Sequence, residues 1–483
     1  MTLPLNHQEF VVDVLVIGAG PGGCAAAFRA ADLGKRVALV DRRAELGGVC
    51  LNEGCIPSKT LLHTAKTLRS AAAVPGLHVD PRQLNLAALR AHKAEVVAQL
   101  TGGLGQLAKA RGVAVMEGSA RFESNLSAIV DTAQGARRIR FADVVIATGS
   151  APARLPSASF EDPRVMDSTS ALELTVIPER LLIVGAGVIG LEMATIYSAF
   201  GSEVTLVEAG AQFLPEVDTD VARALRAALS PTLKDVRLDT KVASMRATEA
   251  AMEVHFDGAD GPAIEAYDRV LVAIGRRPDC RSLQLEKAGL SLDASGYLHV
   301  DEHMRTTAAN LYAIGDIVEG PMLAHKASHQ GVVAAEAIAG QASTFEPASI
   351  PSVCYCEPEV AWTGITERKA KAGGRAVDPV VFPWRASGKA LAMGTPEGMT
   401  KLLFEQDTRR LVGAAIVGSG AGELIAEAVL AIEMGALDVD LCSAIHPHPT
   451  LSETLGQAAS MATRTITDLV LGRTAARGLA RLA

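Results

Sequence analysis

Apolar positions along this chain fall into short runs separated by small residues. Residues 11–17 (VVDVLVI) lead into GAGPGG, then into the Ala-rich stretch CAAAFRAADLG, then into VALVD ending at Asp41. Residues 181–208, LLIVGAGVIGLEMATIYSAFGSEVTLVE, repeat that order. Each segment predicts a strand, a glycine-rich turn, a helix and a second strand ending in an acid, which is a βαβ unit written twice. FADVVIATGS (141–150) and YDRVLVAIGRRPD (267–279) predict strands that close the two units. YAIGDI (312–317) predicts another strand, followed by a helix over AHKASHQGVVAAEAIAG. Beyond about residue 348 the pattern changes. Residues 399–418 read as an antiparallel hairpin, EVAWTG as a short strand, and 422–436 and 452–472 as helices. The expected fold class is α/β, two Rossmann-like units followed by an α+β domain that makes contacts. The expected boundaries are 1–150, 151–276, 277–347 (completing the first unit) and 348–483.

Composition narrows the class. A chain of 483 residues allows about three domains. The net charge of −8 and a pI near 5.8 argue against a nucleic-acid surface. The apolar runs near 11–17 and 181–189 are too short to span a bilayer, so no membrane role is expected. MTLPLNHQEF has neither a basic region before an apolar stretch nor an arginine, so it reads as neither signal nor transit peptide. Seven irregularly spaced cysteines do not make a secreted disulfide framework. A reducing, cytoplasmic setting is expected.

The turns carry the first chemistry. Gly18, Gly20 and Gly23 recur as Gly185, Gly187 and Gly190. Asp41 lies 41 − 18 = 23 residues beyond its first glycine, and Glu208 lies 208 − 185 = 23 beyond its own. The first glycine permits the tight turn, the second admits a pyrophosphate, and the third lets helix and strand pack closely. The helix N-terminus then offers free N–H groups to phosphate, and the acid accepts from a ribose 2′-OH. An acid there repels a 2′-phosphate, so Glu208 favours NAD over NADP. Two such turns imply a pair of redox cofactors. Thr148 and Gly149, Gly275, and Gly315 with Asp316 follow strands and are candidate cofactor contacts. Asp316 could instead cap the helix after it.

Cys50 and Cys55 in GGVCLNEGCIPSK are the second chemical feature. A zinc clip needs four ligands. His63 is near, but no second pair is, and Cys354 and Cys356, two apart in an apparent strand, point the same way. An inert buried pair stays open. Residues five apart in a helix have Cα atoms roughly 8–9 Å apart, while a disulfide needs about 4.4–6.8 Å. If the pair bonds, residues 50–55 are therefore not regular helix. Gly54 supplies backbone freedom, and Pro57 suits the first turn of a following helix. Cys55 then lies near a helix N-terminus, where the dipole favours a thiolate.

The two nucleotide units, GGVCLNEGCIPSK, AIGDI and the tail AIHPHPTLSE together resemble the flavoprotein disulfide reductase family over essentially the whole chain. Within it, the match is to members that oxidise protein-bound dihydrolipoamide. The resemblance implies FAD on the first unit and NAD on the second. It implies that Cys50 is the interchange thiol and Cys55 the charge-transfer thiol against the flavin. Lys59 then lies near the flavin ring and pairs with Glu192, Asp316 contacts the ribityl chain, and Ile189 lies over the nicotinamide pocket. His448 and Glu453 match a base and its orienting acid that serve the other subunit of a homodimer. Lipoamide comes from a lipoyl-bearing acyltransferase or carrier of the 2-oxo acid dehydrogenase or glycine cleavage complexes. Thr450 to Glu453 also reads as a capping box, and the prolines on either side of His448 hold its backbone extended. His446 is expected at the surface as a spacer, and one of Cys354 and Cys356 is expected to be exposed. Gln330 stands where relatives often carry Glu, which bears on a local flavin-side contact only. The rival readings are an NADPH-driven disulfide or mercuric reductase, a catalytically weak scaffold, and a flavin-free NAD-binding protein. Glu208 and the intact residue set weigh against the first two, and yellow colour decides the third.

Overall fold

The computed structural model describes residues 9–471 except 79, 81–83 and 259–260. Residues 1–8, which hold most of the segment read as lacking a leader, and the tail beyond 471 lie outside the described residues. Among those described, no helix is long and apolar enough to cross a membrane.

The first unit is built on the strands Ala114–Glu117, Val37–Asp41, Phe10–Ile17, Gly135–Ile146 and Leu311–Ala313, adjacent in that order and all parallel. Val14, Leu15 and Val16 are fully buried, which is why this strand reads as a run and not an alternation. One face is covered by the helices Pro21–Asp32 and Ala324–Ile338, whose small residues form one cluster with the sheet. These helices touch through glycine: a Cβ on Gly331 would lie 2.4 Å from the Gly22 carbonyl oxygen. The other face is covered by an antiparallel meander over residues 119–140 and by short turns near Leu283 and Leu285.

The second unit repeats the plan. Asp235–Arg237, Glu203–Val207, Arg180–Val184, Arg269–Val272 and Val165–Met166 form a parallel sheet in that order. A three-stranded meander, 241–267, covers one face. Its helix Val188–Ala199 packs against Leu61, Leu62 and Ala65 of the helix Cys55–Ala72, so the two units share a core at the cysteine segment.

The last domain is an antiparallel sheet in the order Ser352–Cys354, Val360–Gly364, Leu411–Val417, Met399–Glu405, Val377–Pro383. The helices Ala421–Glu433 and Glu453–Thr463 pack on it. The predicted helix over 452–472 stops at Thr463. Arg464 is left-handed at φ 61°, and the β-branched run Thr465–Thr467 that follows disfavours helix.

Candidate active site

Each glycine triplet divides its work in the same way. Gly18 and Gly185 have φ of +103° and +109°, and a Cβ there would lie 2.2 and 2.4 Å from the carbonyl oxygens of Ala147 and Ala273. At Gly23 and Gly190 a Cβ would lie 1.8 and 1.9 Å from the Gly18 and Gly185 oxygens. At Gly20 and Gly187 nothing lies within 4 Å. Two glycines in each turn are therefore fixed by packing, while the middle one faces open space at a helix N-terminus. Asp41 Oδ2 accepts from the Ala19 amide at 2.6 Å, and Glu208 Oε2 from the Ala186 amide at 2.8 Å. The two acids thus hold their own turns and border the open space. Around the first turn, Thr148 Oγ1 is buried without a partner. Gly149 and Gly275 are left-handed, with nothing within 4 Å. These features fit a dinucleotide on each turn.

Asp316 does not cap the following helix. Its turn, Gly315–Ile317, ends well before Ala324, and the cap residue there, Leu323, makes no side-chain bond. Asp316 instead accepts from Ser150 Oγ at 2.5 Å, and Arg276 Nε donates to the same hydroxyl at 2.8 Å. Gly315, left-handed at φ +77°, donates its amide to Gln330 Oε1 at 2.8 Å.

The cysteine segment forms two helices, Gly48–Glu53 and Cys55–Ala72. Gly54, with φ −137° and ψ −106°, breaks them apart. Cys50 lies within the first helix and Cys55 opens the second, and the break at Gly54 folds them together so that their Sγ atoms meet at 2.6 Å. A closed disulfide is about 2.05 Å, so the free thiols lie within bonding range. The segment is tied to the first turn: the Gly47 amide donates to the Ala19 carbonyl at 2.7 Å, and a Cβ on Gly48 would lie 2.6 Å from Gly20 Cα. The shared hydrogen bond and burial push the Cys50 thiol up. The Cys50 hydrogen bond, aided by the Lys59 ammonium, lowers Cys55 to about 7.

One helical turn on, Lys59 Nζ lies 2.9 Å from both carboxylate oxygens of buried Glu192 in the second unit. Burial opposes the Lys59 charge, but Glu192 outweighs it and raises the lysine pKa. Tyr355, which the sequence did not single out, completes this group. Its amide donates to Glu192 Oε1 at 3.1 Å, and its ring centroid lies 4.6 Å from Lys59 Nζ. Its neighbours Cys354 and Cys356 are both buried, with Sγ atoms 3.4 Å apart, and Cys356 lies beyond the strand end. The expectation that one is exposed fails because the helix Val188–Ala199 and the Pro358 carbonyl cover them. Ile189, in the first turn of that helix, is partly buried against the same cluster.

His448 and Glu453 stand apart from these groups. His448 Nδ1 lies 2.8 Å from Glu453 Oε1, and its side chain is 80% exposed. Glu453 Oε2 accepts from the Thr450 amide at 2.7 Å, so one carboxylate both ties down the loop before its helix and orients the imidazole; the expected capping box is absent, because the cap residue is Ser452 and makes no side-chain bond. Burial raises the Glu453 carboxyl, but that amide and His448 outweigh it and hold it low. His446 is no surface spacer: its side chain is 12% exposed and its Nε2 lies 2.8 Å from Glu427 Oε1. Sequence gave no hint of Glu427, which lies in another helix. Asp218, Asp220 and Glu367 are grouped closely enough for an ion. Their centre is filled by Lys401 Nζ, which is bonded to all three.

The pyridine nucleotide-disulphide oxidoreductase family matches residues 12–331, and the dimerisation domain of that family matches residues 350–459. The chain is 48% identical to the dihydrolipoyl dehydrogenase of Haemophilus influenzae, covering 96% of this chain and 97% of that one. It is 47% identical to that of Vibrio parahaemolyticus, over 96% and 98%. Among solved structures it is similar to the HOCl-induced flavoprotein disulfide reductase RclA from Escherichia coli, with 30% identity, a TM-score of 0.83, and 93% and 99% coverage. It is also similar to LpdA from Mycobacterium tuberculosis, with 26% identity, a TM-score of 0.86, and 93% and 100% coverage. The doubled glycine turn, the paired thiols between the two units and these full-length likenesses agree: the chain belongs to the pyridine nucleotide-disulphide oxidoreductase family.

Proposed function

We propose that this chain oxidises protein-bound dihydrolipoamide to lipoamide and delivers the electrons to NAD+, the reaction for which its relatives are named. The observation that carries the reading is the thiol pair, with sulfurs 2.6 Å apart at a helix N-terminus and flanked by two glycine turns open to nucleotides. FAD is held by Gly18, Gly20, Gly23, Asp41, Thr148, Gly149, Gly315 and Asp316, and NAD by Gly185, Gly187, Gly190, Ile189, Glu208 and Gly275. We read residues 1–150 with 277–347 as the FAD unit, 151–276 as the NAD unit, and 348–483 as the interface domain of a homodimer. Bound FAD supplies two-electron transfer between the thiol pair and NAD+.

His448 of the partner subunit accepts the proton of one substrate thiol, because the thiolate is the nucleophile. Glu453 fixes the imidazole so that Nε2 faces the substrate. The substrate thiolate attacks Cys50 Sγ, the Cys50–Cys55 bond breaks, and Cys55 leaves as a thiolate. The second substrate sulfur attacks the first within the mixed disulfide, closing lipoamide and freeing Cys50. The second proton ends on Cys50, whose pKa is raised, and the charge on Cys55, whose pKa is lowered and which Lys59 supports. The lipoyl group arrives on an acyltransferase or carrier protein of the 2-oxo acid dehydrogenase or glycine cleavage complexes, in the cytoplasm.

Anaerobic dihydrolipoamide should bleach the bound flavin and produce a long-wavelength thiolate-to-flavin band, and NAD+ should reverse the bleaching. Cys50→Ser should abolish lipoamide turnover. Turnover at the wild-type rate in that variant would sink the assignment.

A further inference from the structure

We propose that His446 is a positioning residue for His448, clamping the loop that presents the exposed imidazole. The inference rests on reading His448 as the base. The loop 444–452 joins the helices Asp438–Ser443 and Glu453–Thr463. Within its own subunit His448 is not held by packing: its side chain is 80% exposed, and among the described residues its only polar side-chain partner is Glu453. Within the subunit, the position of its ring is therefore set by Glu453 and by the backbone of this loop.

His446 is where the loop is gripped. Its Nε2 lies 2.8 Å from Glu427 Oε1 on the helix Ala421–Glu433, and its Nδ1 lies 3.1 Å from the Ala444 carbonyl oxygen. A carbonyl only accepts, and so does an ionised carboxylate, so the ring holds the loop by donating from a protonated nitrogen, and turning it would break that hold. The helix that supplies Glu453 is notched to receive this ring. At Gly456, 456 − 453 = 3 residues on, a Cβ would lie 2.9 Å from His446 Nδ1 and 3.0 Å from Cε1. The Leu441 carbonyl, from the helix before the loop, lies 3.7 Å from the same point. Two helices therefore meet at one imidazole, two residues before the one that reacts. A base works only within hydrogen-bond reach of its proton, and an ångström of misplacement costs up to about 100-fold.

The test uses the FAD-loaded dimer and two activities: dihydrolipoamide oxidation by NAD+, which needs His448, and reduction of ferricyanide by NADH, which does not. His446→Ala should lower the first roughly tenfold, shift its pH profile, and leave both the second and the dimer intact. Gly456→Ala, which crowds only the ring edge, should give the same split. His446→Gln, whose amide still donates to Glu427, should recover part of the loss. Wild-type turnover with an unchanged pH profile in His446→Ala overturns the inference. So does an equal fall in both activities, which marks a merely structural role. His448→Gln is measured alongside: wild-type turnover there removes the base assignment and this inference with it, whereas failure of His446→Ala alone leaves the base assignment standing.

Discussion

Glycines 187 and 190 look alike in the sequence but answer to different demands. Gly187 faces open space, whereas a Cβ on Gly190 would lie 1.9 Å from the Gly185 oxygen. Gly187→Ala should therefore fold normally and raise the KM for NAD+ about tenfold or more. Gly190→Ala should lower stability by about 1–3 kcal/mol, as overpacking does. Thermal unfolding and steady-state kinetics on the two variants separate the effects. Cys55 offers a second residue-scale test. With its thiol lowered to about 7, the reduced protein carries a thiolate above that pH and loses it below. The Cys50 hydrogen bond and Lys59 favour the charged form against burial and Glu192, and without Lys59 the hydrogen bonds alone oppose them. Lys59→Met should therefore move the midpoint of thiolate absorbance upward, toward the ordinary thiol value. Residue types and spacing made both sites legible, because turn geometry and thiol chemistry depend on a few adjacent residues.

The paired βαβ units were readable because strands buried on both faces carry unbroken apolar runs, while the helices between them carry small residues. Where side chains and local propensity disagreed, the reading slipped. The last helix ends at Thr463. Of the two roles open to Asp316, the helix cap is not taken, and the side chain holds Ser150. Contacts between elements were not readable at all. Lys401, in the strand Met399–Glu405, is 1% exposed and bonded to Asp218, Asp220 and Glu367 of two other elements. Burial works against the Lys401 charge, but the acids outweigh it and raise its pKa. Its contribution is therefore full below the unfolded pKa of 10.5 and is lost as pH rises through the higher folded value. Lys401→Met leaves three carboxylates together. Chemical denaturation at pH 7 should show a loss of about 3 kcal/mol, the low end for a broken buried pair because Asp220 and Glu367 are partly exposed.

At the scale of the molecule, the helix that Cys55 opens packs into one core, the helix that follows the His448 loop packs into another, and His448 points into solvent. If His448 serves the partner's thiols, Cys50→Ser and His448→Gln homodimers should each be nearly inactive, while mixed dimers regain one intact site. About half of wild-type activity per mixed dimer is expected after subunit exchange, and no recovery would place the base and the thiols on one chain. The sequence by itself determined the two glycine turns, the close thiol pair and the family, because each is written in local spacing that the backbone must obey. Only the tertiary structure decided which side chains meet. Glu192 joins Tyr355 and Lys59, Lys401 fills an acidic group, and His446 grips the loop beside His448. These contacts span tens to hundreds of residues, and burial and hydrogen-bond satisfaction across packed elements select them. No local pattern encodes that selection.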